Sequence, residues 1–221
     1  MLLTNEKRTV QKMENLTIMN HPLISHKLAI LRHKDTDGKS FRELVSEIAM
    51  LICYEATRDM TTTPVDIPTP LMTAKCSMIT TEKPVLVPIL RAGLGMVDGM
   101  LTILPSAKIG HIGMCRNHDT LEPEQYYCNL PADIGERTVF VLDPMLATGG
   151  SLAAAITILK EKGAKKIKVL SIVGAEVGCK RVLDTHPDVN IYLGVLDDRL
   201  NEKGYILPGL GDAGDRLFGT E

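Results

Sequence analysis

From residue 85 onward the chain alternates between apolar runs of strand length and helical stripes, and this alternation constrains the fold more than any other feature. Residues 85–90, 138–143, 166–173 and 189–195 read as strands. Residues 93–104, 149–162 and 178–185 read as helices, the first stopped at Pro105 and the second ended by Gly163. The strand runs lack polar alternation, as expected of strands covered on both faces. Strands joined through helices lie parallel, because a hairpin turn cannot make that connection. The expected architecture is therefore α/β, a mainly parallel sheet flanked by helices. Ligands in such sheets bind at the carboxyl ends of the strands. Every unusual loop in this sequence follows a predicted strand.

The first third reads differently. Pro22–Arg32 and residues 40–57 have helical periodicity, the latter with Phe41, Leu44, Val45, Ile48, Leu51 and Ile52 on one face. Ser40 and Glu43 have the spacing of a capping box. Residues 61–70 are rich in Thr and Pro, hence extended or a loop. At 221 residues the chain suits one sizeable core with a small appended lobe.

Composition excludes several function classes. The chain is 44% hydrophobic and 24% charged with net charge −2, so no basic excess points to nucleic acid or an anionic membrane as partner. Cys53, Cys76, Cys115, Cys128 and Cys179 are odd in number and form no CxxC pair. They suggest free thiols in a reducing compartment, not a disulfide framework or zinc site. The N-terminus lacks the apolar core of a signal peptide, and no run approaches the ~18 residues of a membrane span. The expected location is cytoplasmic, or an organelle if a transit peptide has been trimmed.

Four segments carry chemistry. Residues 139–151 (VFVLDPMLATGGS) deliver Asp143 to the end of a strand, then turn through Ala147, Thr148, Gly149, Gly150 and Ser151 into a helix. Glycines allow close approach of backbone N–H groups, and the helix N-terminus favours an anion. A phosphate would sit on residues 147–151, with Asp143 accepting from two sugar hydroxyls. Taken alone, the segment is equally a plain strand-to-helix turn capped by Ser151. Residues 87–98 (VPILRAGLGMVD) repeat the logic with Arg91 added, which suits a second anionic group. Residues 114–131 (MCRNHDTLEPEQYYCNLP) are long, polar and without apolar periodicity. Arg116, Tyr126 and Tyr127 suggest a structureless loop that closes over a charged ligand. Residues 204–219 (GYILPGLGDAGDRLFG) hold five glycines and a proline, which implies an ordered loop that presents its own backbone.

Together, and in this order, the four segments resemble uracil phosphoribosyltransferases of the bacterial and plant type. The resemblance runs from His21-Pro22-Leu23-Ile24 through Tyr54-Glu55-Ala56-Thr57-Arg58-Asp59 to the C-terminus. DPMLATGGS is similar to the family's phosphoribosyl-diphosphate signature, and Pro144 replaces the second acid that other phosphoribosyltransferases carry. The resemblance implies the type I phosphoribosyltransferase fold, with a core of about residues 75–200 and a small hood from the N-terminal segment and residues 201–221. It implies that Asp143, Pro144, Met145, Leu146, Ala147, Thr148, Gly149, Gly150 and Ser151 hold ribose 5-phosphate. Arg91 and Arg116 would contact the diphosphate. Ile206, Gly211, Asp212 and Ala213 would bind uracil through the backbone, with Tyr205 packed near the base and Asp212 turned toward the donor. Mg²⁺ would be held mainly through the donor, with Asp212 as a protein ligand. A homodimer or homotetramer, and a GTP effector, are further family traits.

The implied reaction is uracil plus phosphoribosyl diphosphate giving UMP and diphosphate, the chemistry of pyrimidine salvage. Some positions depart from the family pattern: Glu176-Val177 stands for Pro-Glu, Asn117 for Asp, Asn129 for Lys, and Asp197-Asp198 for Asp-Glu. They leave the signature loops untouched but keep an inactive or regulatory relative as an alternative. An RNA-binding regulator would need a basic face, and a purine enzyme should lack residues 204–219.

Overall fold

The computed structural model describes residues 13–80, 83–116 and 123–220. In chain order the strands are β1 (Leu16–Ile18), β2 (Thr63–Pro68), β3 (Thr73–Met78), β4 (Val85–Leu90), β5 (Lys108–Ile109), β6 (His111–Arg116), β7 (Pro123–Asn129), β8 (Thr138–Leu142), β9 (Met145–Leu146), β10 (Lys166–Ala175), β11 (Asn190–Asp197), β12 (Arg199–Leu200) and β13 (Ile206–Leu207). The α-helices are α1 (Pro22–Arg32), α2 (Gly38–Ala56), α3 (Val97–Ile103), α4 (Gly150–Glu161), α5 (Glu176–Thr185) and α6 (Ala213–Phe218). The main sheet runs β1-β11-β10-β8-β4-β6-β7, with β5 beside β4 and β9 beside β10. All its pairings are parallel except β6 with β7. The parallel α/β architecture read from the alternation is the one observed.

The central strands show why the sequence reads as continuous apolar runs. Val85, Val87 and Ile89 of β4 and Val139 and Val141 of β8 pack with α4 residues such as Leu152, Ile156 and Leu159. The alternate residues Leu86, Phe140 and Leu142 face the other layer, with Leu28 of α1, Ile48 and Ile52 of α2, and Met100 of α3. Successive side chains point to opposite faces, so each strand needs apolar residues at every position. The parallel register brings the ends of β4, β8, β10 and β11 to one edge of the sheet.

Several local expectations need correction. The second helix starts two residues earlier than the sequence reading, and its cap is Asp37, whose carboxylate accepts from the Lys39 and Ser40 N–H groups. Ser40 instead donates its hydroxyl to Asp37. An Asp before a glycine satisfies the orphan donors without the longer box. For residues 61–70 the structure takes the extended of the two readings: β2 pairs with β3 as an antiparallel hairpin. The first turn after Arg91 is a 3₁₀ helix, Ala92–Met96, before α3 begins. Residues 114–131 are not structureless either. They contain β7 and the end of β6, an antiparallel pair with a register shift at Gly113 and Met114. Backbone pairing at a sheet edge needs no apolar periodicity, which hid these strands. Residues 117–122 lie outside the described residues. Residues 204–219, read as a loop, include β13 and the six-residue α6, with Asp212 as its cap.

Candidate active site

β8 ends at Leu142 and places Asp143 on the carboxyl edge. The Asp143 N–H donates to the Leu170 carbonyl at 3.2 Å, and its Oδ1 accepts from the Met145 N–H at 3.1 Å. The carboxyl is only partly exposed, and burial pushes its pKa up to about 6 despite the Met145 N–H, which pulls it down. Pro144 presents its carbonyl to the N–H groups of Ile172 and Val173. Met145 and Leu146 then run beside Val173 and Gly174 as β9. Leu146 is buried in the core, so only its backbone is available to a ligand.

The turn continues through Ala147 and Thr148 to Gly149, which caps α4 in the left-handed region at φ 76°. Among the described residues no side-chain cap bonds the start of α4, and no acid lies in its first turn. Ser151 is exposed and Thr148 partly so. The arrangement suits an anion: backbone N–H donors, a favourable dipole and no acid in the first turn of the helix. Its back is braced by α5. A Cβ on Gly149 would lie 2.6 Å from the Gly178 carbonyl oxygen, and one on Gly178 would lie 2.3 Å from that of Ala147. Its mouth is bordered by Pro123 and Arg181, whose side chains would stand 3.5 and 3.2 Å from a Cβ on Gly150.

The second loop leaves β4 through a cis peptide between Leu90 and Arg91. Gly93 packs so closely that a Cβ there would meet the Leu142 carbonyl oxygen at 2.4 Å. The Arg91 side chain is 58% exposed, with Nη2 3.7 Å from Asp215 Oδ1 and Cζ 5.8 Å from the Phe218 ring centroid. The cation is thus held over α6 while it stays open to a ligand.

The C-terminal segment joins the two loops. β12 and β13 pair antiparallel, and a cis peptide links Leu207 to Pro208. Gly209 and Gly211 have φ 59° and 84°. The Ile206, Leu210, Ala213 and Leu217 side chains are buried, whereas Gly211 and Asp212 are exposed and Tyr205 is 46% exposed. Asp212 Oδ1 accepts from the Asp215 N–H at 2.9 Å, a capping role that the sequence reading did not assign. A Cβ on Gly204 would touch Thr148 Cγ2 at 3.8 Å, and one on Gly214 would touch the Ala92 Cβ at 3.9 Å. Residues 143–151, 91–96 and 204–215 therefore meet at one edge of the sheet.

Arg116 closes β6, opposite Pro123, but its side chain lies outside the described residues. Gly178 and Arg181 stand beside the site without a role having been read for them from sequence, because only their folded neighbours mark them. A cavity of about 560 Å³ lies at the opposite edge, where Lys165, Lys166 and Lys168 face Asp59, Glu136 and Asp188. It shares no residue with the loops described above. Among the described residues, no group of three or more His, Cys, Asp or Glu side chains is placed to hold a metal ion.

A parallel sheet that feeds an acid into an uncapped helix, opposite an arginine loop, is the frame of a type I phosphoribosyltransferase. Adenine phosphoribosyltransferase of Trypanosoma brucei shares the fold at TM-score 0.57 and 12% identity, over 90% of this chain and 88% of that one. The uracil phosphoribosyltransferase family model matches residues 18–220. A uracil phosphoribosyltransferase of Clostridium botulinum (strain Hall) is 57% identical over 209 residues, 95% of this chain and 100% of that protein. The AQ2163 protein from Aquifex aeolicus superposes at TM-score 0.87 with 39% identity, over 93% of this chain and 99% of that one. The chain belongs to the uracil phosphoribosyltransferase family.

Proposed function

We infer that this enzyme transfers the phosphoribosyl group of 5-phosphoribosyl 1-diphosphate to uracil, giving UMP and diphosphate in pyrimidine salvage. The observation that carries the reading, beside family membership, is the approach of Gly204 to Thr148, where an added Cβ would lie 3.8 Å from Thr148 Cγ2, which sets the glycine-rich segment against the anion seat. One holds the ribose 5-phosphate and the other the base, so the two reactants meet at the sheet edge. Residues 144–147 shape the loop, and residues 148–151 bind the phosphate through backbone N–H groups and the Thr148 and Ser151 hydroxyls. Asp143 accepts from the ribose hydroxyls. Breaking the anomeric bond builds positive charge on the ribose and negative charge on the departing diphosphate, and Arg91 with Arg116 stabilises the latter. Positioning of the two reactants supplies much of the remainder. Pro123 against Gly150 supports a β6–β7 arm that covers the donor and keeps competing water away.

Ile206, Gly211, Asp212 and Ala213 read uracil through main-chain groups, with Tyr205 against the base. A backbone donor aimed at the uracil O4 meets another donor in cytosine. The unpaired buried group then costs roughly 1–3 kcal/mol, about 10–100-fold in discrimination. Mg²⁺, which would neutralise diphosphate charge when bound, is held chiefly by the donor. On the protein side, Asp212 would be its ligand.

The hood, formed by the N-terminal segment and residues 201–221, closes the base side of a single domain. The enzyme assembles with a second copy of itself. The β2–β3 hairpin supports this, with Leu71 95% exposed at its tip. An apolar groove of about 330 Å³, including Ile79, Pro84, Ile103 and Leu104, lies at its base. A two-fold exchange of tip for groove would cover both. The free thiols favour a reducing, cytoplasmic setting. The test is incubation with Mg²⁺, phosphoribosyl diphosphate and each base in turn. UMP from uracil is expected, whereas product from a purine only, or from no base, overturns the reading.

A further inference from the structure

We propose that Arg32 and Asp197, which lie outside the three substrate loops, are positioning residues that fix the base-reading backbone. The inference rests on the assignment of uracil to the segment around Gly211. Arg32 ends α1, and its Nη1 donates to Asp197 Oδ2 at 2.7 Å and to the Gly209 carbonyl at 2.8 Å. Its Nη2 donates to Asp197 Oδ1 at 2.7 Å. Asp197 closes β11, and its Oδ2 also accepts from the Gly209 N–H at 2.9 Å. Both backbone polar groups of Gly209 therefore end on one ion pair. The side chains are 21% and 5% exposed, so water competes little for these bonds.

Gly209 can be nothing else here: φ is 59°, and a Cβ would fall 2.1 Å from the Ile206 carbonyl oxygen. The turn it makes stands between β13 and Gly211. A site that reads its base through main-chain groups has no side-chain rotamers with which to adapt, so its accuracy depends on where the backbone is held. A planar guanidinium fork sets both distance and angle, and a lysine cannot reproduce it. Buried ion pairs often add little stability over an apolar replacement. Holding Gly209 in register is what this one supplies.

The test compares Arg32→Lys and Asp197→Asn with wild type. Asp59→Asn serves as a control that breaks the Lys168–Asp59 ion pair at the far edge of the sheet. Both pair variants should raise the KM for uracil about tenfold while the KM for phosphoribosyl diphosphate stays within about twofold. Their preference for uracil over cytosine should fall. Amide exchange at residues 210–213 should quicken in the unliganded variants. Asp59→Asn should lower Tm with neither KM changed. The proposal is overturned if the two KM values rise together in the pair variants, if neither moves, or if exchange at residues 210–213 is unaltered. A wild-type enzyme that makes no UMP would overturn the uracil assignment, and the exchange measurement would still decide the clamp.

Discussion

Gly178 packs its α-carbon onto the phosphate loop, where a Cβ would lie 2.3 Å from the carbonyl oxygen of Ala147. The contact is backbone against backbone, so no rotamer change can relieve it. Gly178→Ala should therefore displace residues 147–149 and raise the KM for phosphoribosyl diphosphate by about tenfold or more, since a misplacement of about 1 Å can cost about 10²-fold. Gly163→Ala is the contrast. Its φ of 95° makes alanine strained, but nothing lies within 4 Å of the added carbon. That variant should lose about 1 kcal/mol of stability with unchanged kinetics. Steady-state kinetics and thermal melts on the two proteins check the pair.

Asp143 gives the enzyme a pH dependence whose sign follows from burial. Its pKa rises from 3.8 to about 6 in the folded protein. The folded state thus holds this proton more firmly than the unfolded chain, and stability falls as pH climbs from about 4 through about 6. Sugar hydroxyls need the ionised form. The KM for phosphoribosyl diphosphate should therefore climb as pH drops below about 6, and this limb should vanish in Asp143→Asn. At pH 7 the same variant should bind the donor more weakly yet melt higher, because it no longer buries a charge. A variant that keeps the acid limb would show that another group causes it.

The parallel sheet was legible because strands buried on both faces leave an unbroken apolar signature, as in Val85–Leu90, whose bounds match the sequence reading. The anion turn was legible for a similar reason: Gly149 and Gly150 stand where only backbone can be presented. What escaped is pairwise and long-range. Asp37 outcompeted Ser40 as a cap because its shorter reach to two N–H groups is visible only in the folded turn. β7 carries EQYY, whose pairing with β6 comes from backbone bonds at an edge. Arg32 and Asp197 lie 165 residues apart, and nothing local to either marks the other as its partner. Asp212, singled out from sequence for a ligand, is in the fold the cap of α6.

Arg91 makes two contacts with α6, to Asp215 and to the Phe218 ring, while more than half of its side chain stays exposed. A charge-assisted bond from this open guanidinium to the donor's diphosphate would be worth about 1.5–3 kcal/mol. Arg91→Ala should accordingly lower kcat/KM for phosphoribosyl diphosphate by about 10–100-fold. Arg91→Lys should recover part of the loss, since it keeps the charge without the fork. Inhibition by added diphosphate should weaken in parallel if the same guanidinium meets the leaving group, as proposed. A normal diphosphate inhibition constant in Arg91→Ala would remove the arginine from that role.

The hairpin tip makes a prediction about assembly. Leu71 and Met72 are 95% and 73% exposed, so they contribute almost nothing to the fold of one chain. An aspartate there should leave the melting of an isolated monomer unchanged but oppose burial against a second copy, where an unpaired charge would have to shed its water. Wild-type enzyme should sediment as a dimer or a multiple of it, and Leu71→Asp with Met72→Asp should shift the distribution toward monomer at micromolar concentration. Substituting Ile103 in the groove by aspartate should have the same effect, because in an isologous contact each copy supplies both the tip and its receptor. Sedimentation of wild type as a monomer would dispose of the exchange. Dimers that survive the tip variants but not the groove variant would move the interface away from the hairpin.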